Sequence, residues 1–277
     1  MQYSQYLMDA IDAALNAGKA ILEVYESDFD VQLKSDNSPL TLADRRSHAI
    51  IKSSLSAHGI PMISEEGRNI PYGRRRGWTR IWIVDPLDGT KEFVKRNGEF
   101  TVNIALIQEQ YPVLGVVYAP VPDALYFGSI EIGAYKLIHG FEPAVRRSDH
   151  DHSEERLTGL IQKSKKLPIS QRPRSAYTIV GSRSHGTDEL TAFVEQKRAE
   201  KGTVAFIQAG SSLKICLVAE GAADIYPRMG PTMEWDTAAG QAVAECAGAR
   251  ISGFESRERL SYNKQDLLNP WFVVERS

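Results

Sequence analysis

Carboxylates set at the ends of short apolar runs are the feature of this sequence with chemical content. Asp85 and Asp88 bracket Pro86-Leu87 directly after the apolar run 80–84, and Gly89-Thr90 follows at once. A strand ending in such a turn holds both side chains near one point, because Pro86 fixes a backbone angle and Gly89 permits a tight approach. Glu65 and Glu66 end a second short run at 61–64, and Asp236 follows Trp235 where a helix opens. Carboxylates gathered at one spot repel each other and take up protons unless a cation neutralises them. Hard oxygen ligands of this sort suit Mg²⁺ or Mn²⁺. Several such ligands shared between ions is the arrangement of two-metal phosphoryl chemistry. Gly89-Thr90 could begin a helix or turn whose free backbone N–H groups attract a phosphate. Each feature also has a plainer reading. Asp-x-x-Asp is common in turns, Asp236 suits a helix cap, and Glu65-Glu66 suits a solvated pair.

The elements that would carry these residues follow from periodicity. Leu7, Ile11, Ala14, Leu15, Gly18, Ile21, Leu22 and Tyr25 recur at helical spacing. A polar, proline-containing loop follows at 34–41, and Thr41 or Asp44 starts a second helix with Ala49, Ile50 and Leu55 inward. Residues 68–79, which include Arg74-Arg75-Arg76, read as a surface loop. Runs at 100–107, 113–118, 124–127 and 133–137, joined by short turns, predict an antiparallel meander. From 139 to 174 the pattern is lost. Strand and helix then alternate: 177–180, 188–201, 204–207, 211–220, 222–226 and 237–247. That rhythm implies an α/β half. The expected organisation is an N-terminal α+β half (1–140), an irregular connection (141–174) and a C-terminal α/β half (175–277). Asp149-His150-Asp151-His152 falls in the connection with no partner cluster nearby in sequence and is not read as a metal site.

Composition sets the outer limits. The chain has 277 residues, 42% apolar and 25% charged, which is ordinary for a globular protein. Lys+Arg is 33 against Asp+Glu 35, so the net charge is -2 and a general nucleic-acid binder is disfavoured. Cys216 and Cys246 are too few for a disulfide scaffold and read as small buried hydrophobes. There is no 18-residue apolar run and no signal-peptide pattern at the start. A cytoplasmic protein is the expectation.

At the acidic motifs the sequence resembles a known group. Trp82-Ile83-Val84-Asp85-Pro86-Leu87-Asp88-Gly89-Thr90 looks like the first signature of the inositol monophosphatase superfamily. Trp235-Asp236-Thr237-Ala238-Ala239-Gly240 looks like its second signature, and Ser64-Glu65-Glu66-Gly67 matches its upstream acidic motif. Lys91-Glu92-Phe93, the run from Arg96 to Ile104, Gly181-Ser182-Arg183-Ser184-His185 and Gly210-Ser211-Ser212-Leu213-Lys214 resemble the CysQ-type 3'(2'),5'-bisphosphate nucleotidase branch. The resemblance spans roughly residues 5–250.

The resemblance implies an α/β (α+β) fold, a layered αβαβα sandwich of the inositol monophosphatase and sugar phosphatase type. It implies Mg²⁺-dependent hydrolysis of adenosine 3',5'-bisphosphate to AMP and phosphate by a metal-activated water. That nucleotide is left over when an activated sulfate donor is used, which places the activity in sulfur assimilation. The alternative is an inositol or sugar phosphate monoesterase on the same fold. The implied metal ligands are Glu65, Asp85, the carbonyl of Leu87, Asp88 and Asp236. Thr90 would orient the water and pair with Asp44, with Glu65 helping to hold the nucleophile's metal. Gly89, Thr90 and Asp236 would meet the phosphate. Ser182 and His185 would meet the nucleotide, Ser211 and Lys214 the 5'-phosphate, and Arg228 is a further phosphate contact. Lithium inhibition is frequent in the family. Some relatives associate peripherally with the inner face of the cell membrane, which no residue here demonstrates. Neither the oligomeric state nor the number of ions is fixed by these residues.

Overall fold

The structure, a computed structural model, describes residues 1–28, 32–33, 39–140, 143, 152–169, 176–182 and 188–276. In chain order the elements are α1 (Ser4–Tyr25), β1 (Gln32–Leu33), β2 (Pro39–Leu40), α2 (Leu42–Leu55), β3 (Met62–Ser64), α3 (Tyr72–Arg75), β4 (Arg80–Asp88) and α4 (Thr90–Val94). They continue with β5 (Thr101–Gln108), β6 (Tyr111–Ala119), β7 (Ala124–Ser129), β8 (Gly133–Ile138), α5 (Ser153–Lys163), β9 (Lys165–Lys166) and β10 (Tyr177–Ser182). The last are α6 (Asp188–Lys201), β11 (Val204–Ala209), α7 (Leu213–Ala219), β12 (Ile225–Arg228), α8 (Glu234–Cys246), β13 (Ala249–Gly253) and β14 (Phe272–Arg276).

Among the described residues, β3 to β9 form a seven-stranded sheet in sequence order, and β11-β10-β12-β14-β13 form a five-stranded one. Side-chain alternation along each strand decides which layer it faces. Trp82, Val84, Val102, Ile104 and Leu106 point to α1 and α2, where they meet Leu7, Ile11 and Ile51. Ile81, Ile83, Ala105 and Val117 point the other way, onto Ile215 of α7 and Ala239 and Val243 of α8. Phe272 and Val274 of the second sheet close that middle core from its far side. Ile179, Ile225 and Val273 point outward onto Phe193 of α6. The layers are therefore α1/α2, sheet, α7/α8, sheet, α6, which is the αβαβα sandwich. Gly115 lets α8 approach the first sheet, since a Cβ there would stand 2.5 Å from the Ala239 carbonyl oxygen.

Two expectations need correction. Residues 141–174, expected to be irregular, contain α5 and β9. Leu157 and Leu160 of α5 are buried against the first core, and Arg156 forms two bonds with Asp12 of α1 at 2.8 and 2.9 Å. The apolar face of α5 is narrow, so the charged residues around it mask the period. Residues 68–79, expected to be a surface loop, contain the short α3, and Arg75 is buried while Arg74 and Arg76 are exposed. Cys216 is buried as expected, whereas Cys246 is only partly so. Residues 149–151 of the Asp-His-Asp-His run lie outside the described residues. Among the described residues no helix is long and apolar enough to cross a membrane.

Candidate active site

Strand register brings the first acids together. β3 and β4 run parallel with Ser64 beside Val84, so the next residues, Glu65 and Asp85, come side by side. Asp85 and Asp88 are three apart and would face opposite sides of a regular strand. Their partners on β5 are Asn103 and Thr101, only two apart, so one extra residue bulges out of β4. The bulge turns both carboxylates to one face. Asp236 arrives from the first turn of α8, where its Oδ2 accepts from the Met233 amide at 2.8 Å. Oxygen atoms of Asp85, Asp88 and Asp236 all lie within 4.8 Å of one another. Glu65 is outside that trio but close enough to Asp85 to act on its charge.

Burial drives the Asp85 carboxyl well above the usual carboxylate range, and Glu65, Asp88 and Asp236 push it further. Asp236 is pushed up to about 8, first by burial and then by Asp88, with the Met233 amide opposing. A buried all-oxygen cluster that protonates for lack of countercharge fits a hard divalent cation. Such a cation must displace protons. Its affinity is therefore expected to fall as the pH drops below about 8, by roughly tenfold per unit for one displaced proton. Calorimetric Mg²⁺ titrations at pH 6.5 and 8.5, in buffers of different ionisation heat, check both the trend and the proton release.

Asp44 sits in the first turn of α2 and serves two partners. Its Oδ2 accepts from the Thr41 amide and hydroxyl, both at 2.7 Å, completing a capping box. Its Oδ1 accepts from Thr90 Oγ1 at 3.2 Å. Thr90 Oγ1 also lies 3.3 Å from the Leu87 carbonyl oxygen. The helix-start reading of Asp44 and the pairing with Thr90 thus hold together. Gly89 precedes α4 at φ +92°, and a Cβ there would stand 3.1 Å from the Glu99 carbonyl oxygen and 3.3 Å from Ser211 Cβ.

On the other side of Asp88, a cleft of about 160 Å³ runs between Gly89, Glu92, Ser211, Lys214, Tyr226, Arg228 and Asp236. Lys214 is buried, donates to the Ser211 carbonyl oxygen at 2.7 Å and stands 5.6 Å over the Tyr226 ring. Burial lowers its pKa to about 8, with Asp88 opposing. Arg228 donates to the Pro231 carbonyl oxygen at 3.0 Å, and its Nε is buried with no hydrogen-bond partner among the described residues. Ser182 ends β10, with its side chain outside the description, and His185 lies outside the described residues.

Several supporting residues have a role that the sequence does not assign them. Ser212 gives both its amide and its hydroxyl to Asp88 Oδ2 at 2.7 Å, and Asn103 Nδ2 donates to the Ser212 hydroxyl at 2.8 Å. Ser47 donates to the Pro86 carbonyl oxygen at 2.6 Å, fixing the turn between the two aspartates. A buried asparagine inside an apolar strand was the one cue available for Asn103.

With the geometry in place, comparison with known proteins gives the family. The inositol monophosphatase family model matches residues 2–273. The chain belongs to the inositol monophosphatase family. Within the family it is 43% identical over 265 residues to the 3'(2'),5'-bisphosphate nucleotidase CysQ of Salmonella typhimurium, covering 94% of this chain and 96% of that one. It is 43% identical over 267 residues to the protein of the same name from Escherichia coli K12, with the same coverage. The crystal structure of CysQ from Bacteroides thetaiotaomicron superposes with a TM-score of 0.88 at 49% identity, covering 99% of this chain and 98% of that one. A Thermotoga maritima IMPase shares the fold at a TM-score of 0.69 and 19% identity, covering 96% of this chain and 89% of that one.

Proposed function

We propose that this chain is a Mg²⁺-dependent 3'(2'),5'-bisphosphate nucleotidase that hydrolyses adenosine 3',5'-bisphosphate to AMP and phosphate. The observation that carries the reading is one cleft with two chemistries. Asp88 and Asp236 stand in it together with Lys214 and Arg228. A substrate with two phosphates needs both, one group for hydrolysis and one for grip. The names and identities of the CysQ relatives support the same choice. The alternative, an inositol or sugar phosphate monoesterase, leaves the cationic wall without a task.

Glu65, Asp85, the Leu87 carbonyl, Asp88 and Asp236 would hold the cation. When bound, Mg²⁺ offsets charge on the phosphate oxygens and lowers the pKa of water. The protein's part is to place a proton acceptor beside the attacking water. With the Thr90 proton directed at Asp44 Oδ1, Thr90 Oγ1 is left as an acceptor. Thr90 takes the water's proton as it passes its own to Asp44, whose other oxygen stays fixed by Thr41. Gly89 lets the backbone come close to the phosphate, and the first amides of α4 have no helical acceptor of their own. Ser211, Lys214 and Arg228 are assigned to the 5'-phosphate, and Ser182 and His185 to the nucleoside.

The test is phosphate release from adenosine 3',5'-bisphosphate beside inositol 1-phosphate at equal concentration. Clear preference for the bisphosphate supports the branch, and equal or better use of the inositol ester overturns it. Lys214→Met then checks the grip. Losing a charged partner of the second phosphate costs about 2 kcal/mol, which is roughly thirtyfold in KM for the bisphosphate with kcat little changed. Steady-state kinetics on both esters read this directly, since the inositol ester has no second phosphate to lose.

A further inference from the structure

The segment 262–269 belongs to none of the acidic motifs, yet it binds the turn that carries Asp236 and, through Arg75, the chain that follows Glu65. Glu234 directly precedes Trp235-Asp236 and is wholly buried. A buried carboxylate persists only where its oxygens are met by donors. Its Oε2 accepts from the Asn263 amide at 2.7 Å. Its Oε1 accepts from the Lys264 amide at 3.0 Å and from Lys264 Nζ at 2.6 Å. The same segment binds the rest of this turn. The Glu234 amide donates to the Leu267 carbonyl oxygen at 2.9 Å, and the Asn269 amide to that of Thr232 at 2.8 Å. Asn269 Nδ2 donates to the Met233 carbonyl oxygen at 2.8 Å and to Thr237 Oγ1 at 3.0 Å. The turn that carries Asp236 therefore sits in a collar.

The collar also grips Arg75, which in turn holds the chain that follows Glu65. Arg75 is 3% exposed and donates to Asn263 Oδ1 at 2.9 Å and to the carbonyl oxygens of Lys264 and Gln265 at 2.5 and 2.9 Å. Its Nε donates to the Ile70 carbonyl oxygen at 3.2 Å, and Asn263 Nδ2 returns a bond to the Arg75 carbonyl oxygen at 2.8 Å. Residues 63–65 and 67–70 face Trp235 and Leu267 across a cleft of about 400 Å³ that Arg75 also lines. Glu65 thus comes from the first sheet and Asp236 from the central helix layer, and Arg75, Asn263 and Glu234 link their supports across the cleft.

We infer that Glu234 is a positioning residue, which through the 262–269 collar and Arg75 sets the spacing of Asp236 and Glu65 for the cation. This rests on the reading of those acids as the cation site. The test uses the full chain and Mn²⁺ alone as the probe, followed by loss of the free-ion electron paramagnetic resonance signal. Thermal unfolding of each variant is recorded beside it. Glu234→Gln is expected to stay folded and to bind Mn²⁺ at least about tenfold more weakly, the lower end for residues that orient metal ligands. Lys264→Arg, which keeps a charged donor, is expected to bind as the wild type does. If Glu234→Gln does not fold, Lys264→Gln takes its place, since Glu234 then keeps both backbone donors. Weaker binding in that variant supports the inference. A folded variant with a lowered melting temperature but wild-type Mn²⁺ affinity overturns it, because that is what a purely structural role gives. No Mn²⁺ binding by the wild type would instead overturn the cation site on which the inference rests.

Discussion

Asp85→Asn is expected to reduce phosphate release by about a thousandfold or more, the loss that roughly 4 kcal/mol of transition-state stabilisation represents. The same substitution is expected to make the metal-free protein more stable at pH 8. Asp85 is buried beside Glu65, Asp88 and Asp236, and its carboxyl lies well above the ordinary range. A carboxyl with a higher pKa folded than unfolded costs stability as the pH rises from the ordinary carboxylate range upward. An amide of the same shape removes that cost and still accepts from the Leu87 amide, which now donates to Asp85 Oδ1 at 3.0 Å. The gain is therefore expected at pH 8 and absent near pH 4. A rise of about 3 °C corresponds to roughly 1 kcal/mol in a domain of this size. Melting curves with and without Mg²⁺ give the third part: the stabilisation that Mg²⁺ confers on the wild type is lost in the variant. Full activity in Asp85→Asn would remove this residue from the site.

Thr90→Val is expected to lower kcat by about a hundredfold to a thousandfold, within the range of a lost acid–base relay. KM should move little. Valine keeps the shape and the helix start but cannot receive a proton or hand one to Asp44. Thr90→Ser keeps the hydroxyl and should retain most of the activity. The control is built into the geometry. Thr41 holds Asp44 Oδ2 independently of Thr90, so α2 should stay capped in either variant. If Thr90 served only to start α4, the valine and serine variants would differ in melting temperature and not in kcat.

Much of the site was legible because its acids end or open elements with strong patterns. The continuous apolar run into Asp85 and the helix after Trp235 are plain in the sequence, and the strands of 100–137 are separated by turn residues. The coming together of Glu65 and Asp85 was not legible in that way, since it depends on the parallel register of β3 on β4. The common face of Asp85 and Asp88 depends on the bulge, which periodicity alone would deny. Arg75 shows the limit most plainly. In sequence it is the middle of three arginines in a polar stretch, whereas in the fold its two terminal nitrogens donate to groups nearly two hundred residues away. Strands β13 and β14 carry the same lesson. β14 lies between β12 and β13 in the second sheet, yet a five-residue run near the end of a chain has little local pattern to announce it.

The central claim is that one cleft removes a phosphate while gripping another. The most direct test is phosphate release from adenosine 3',5'-bisphosphate in Mg²⁺ and in EDTA, with AMP as the second substrate. Mg²⁺-dependent release from the bisphosphate, stopping at AMP and absent in EDTA, is the predicted result. Release that persists in EDTA would contradict the role of the acid cluster, and equal release from AMP would contradict the role of the cationic wall.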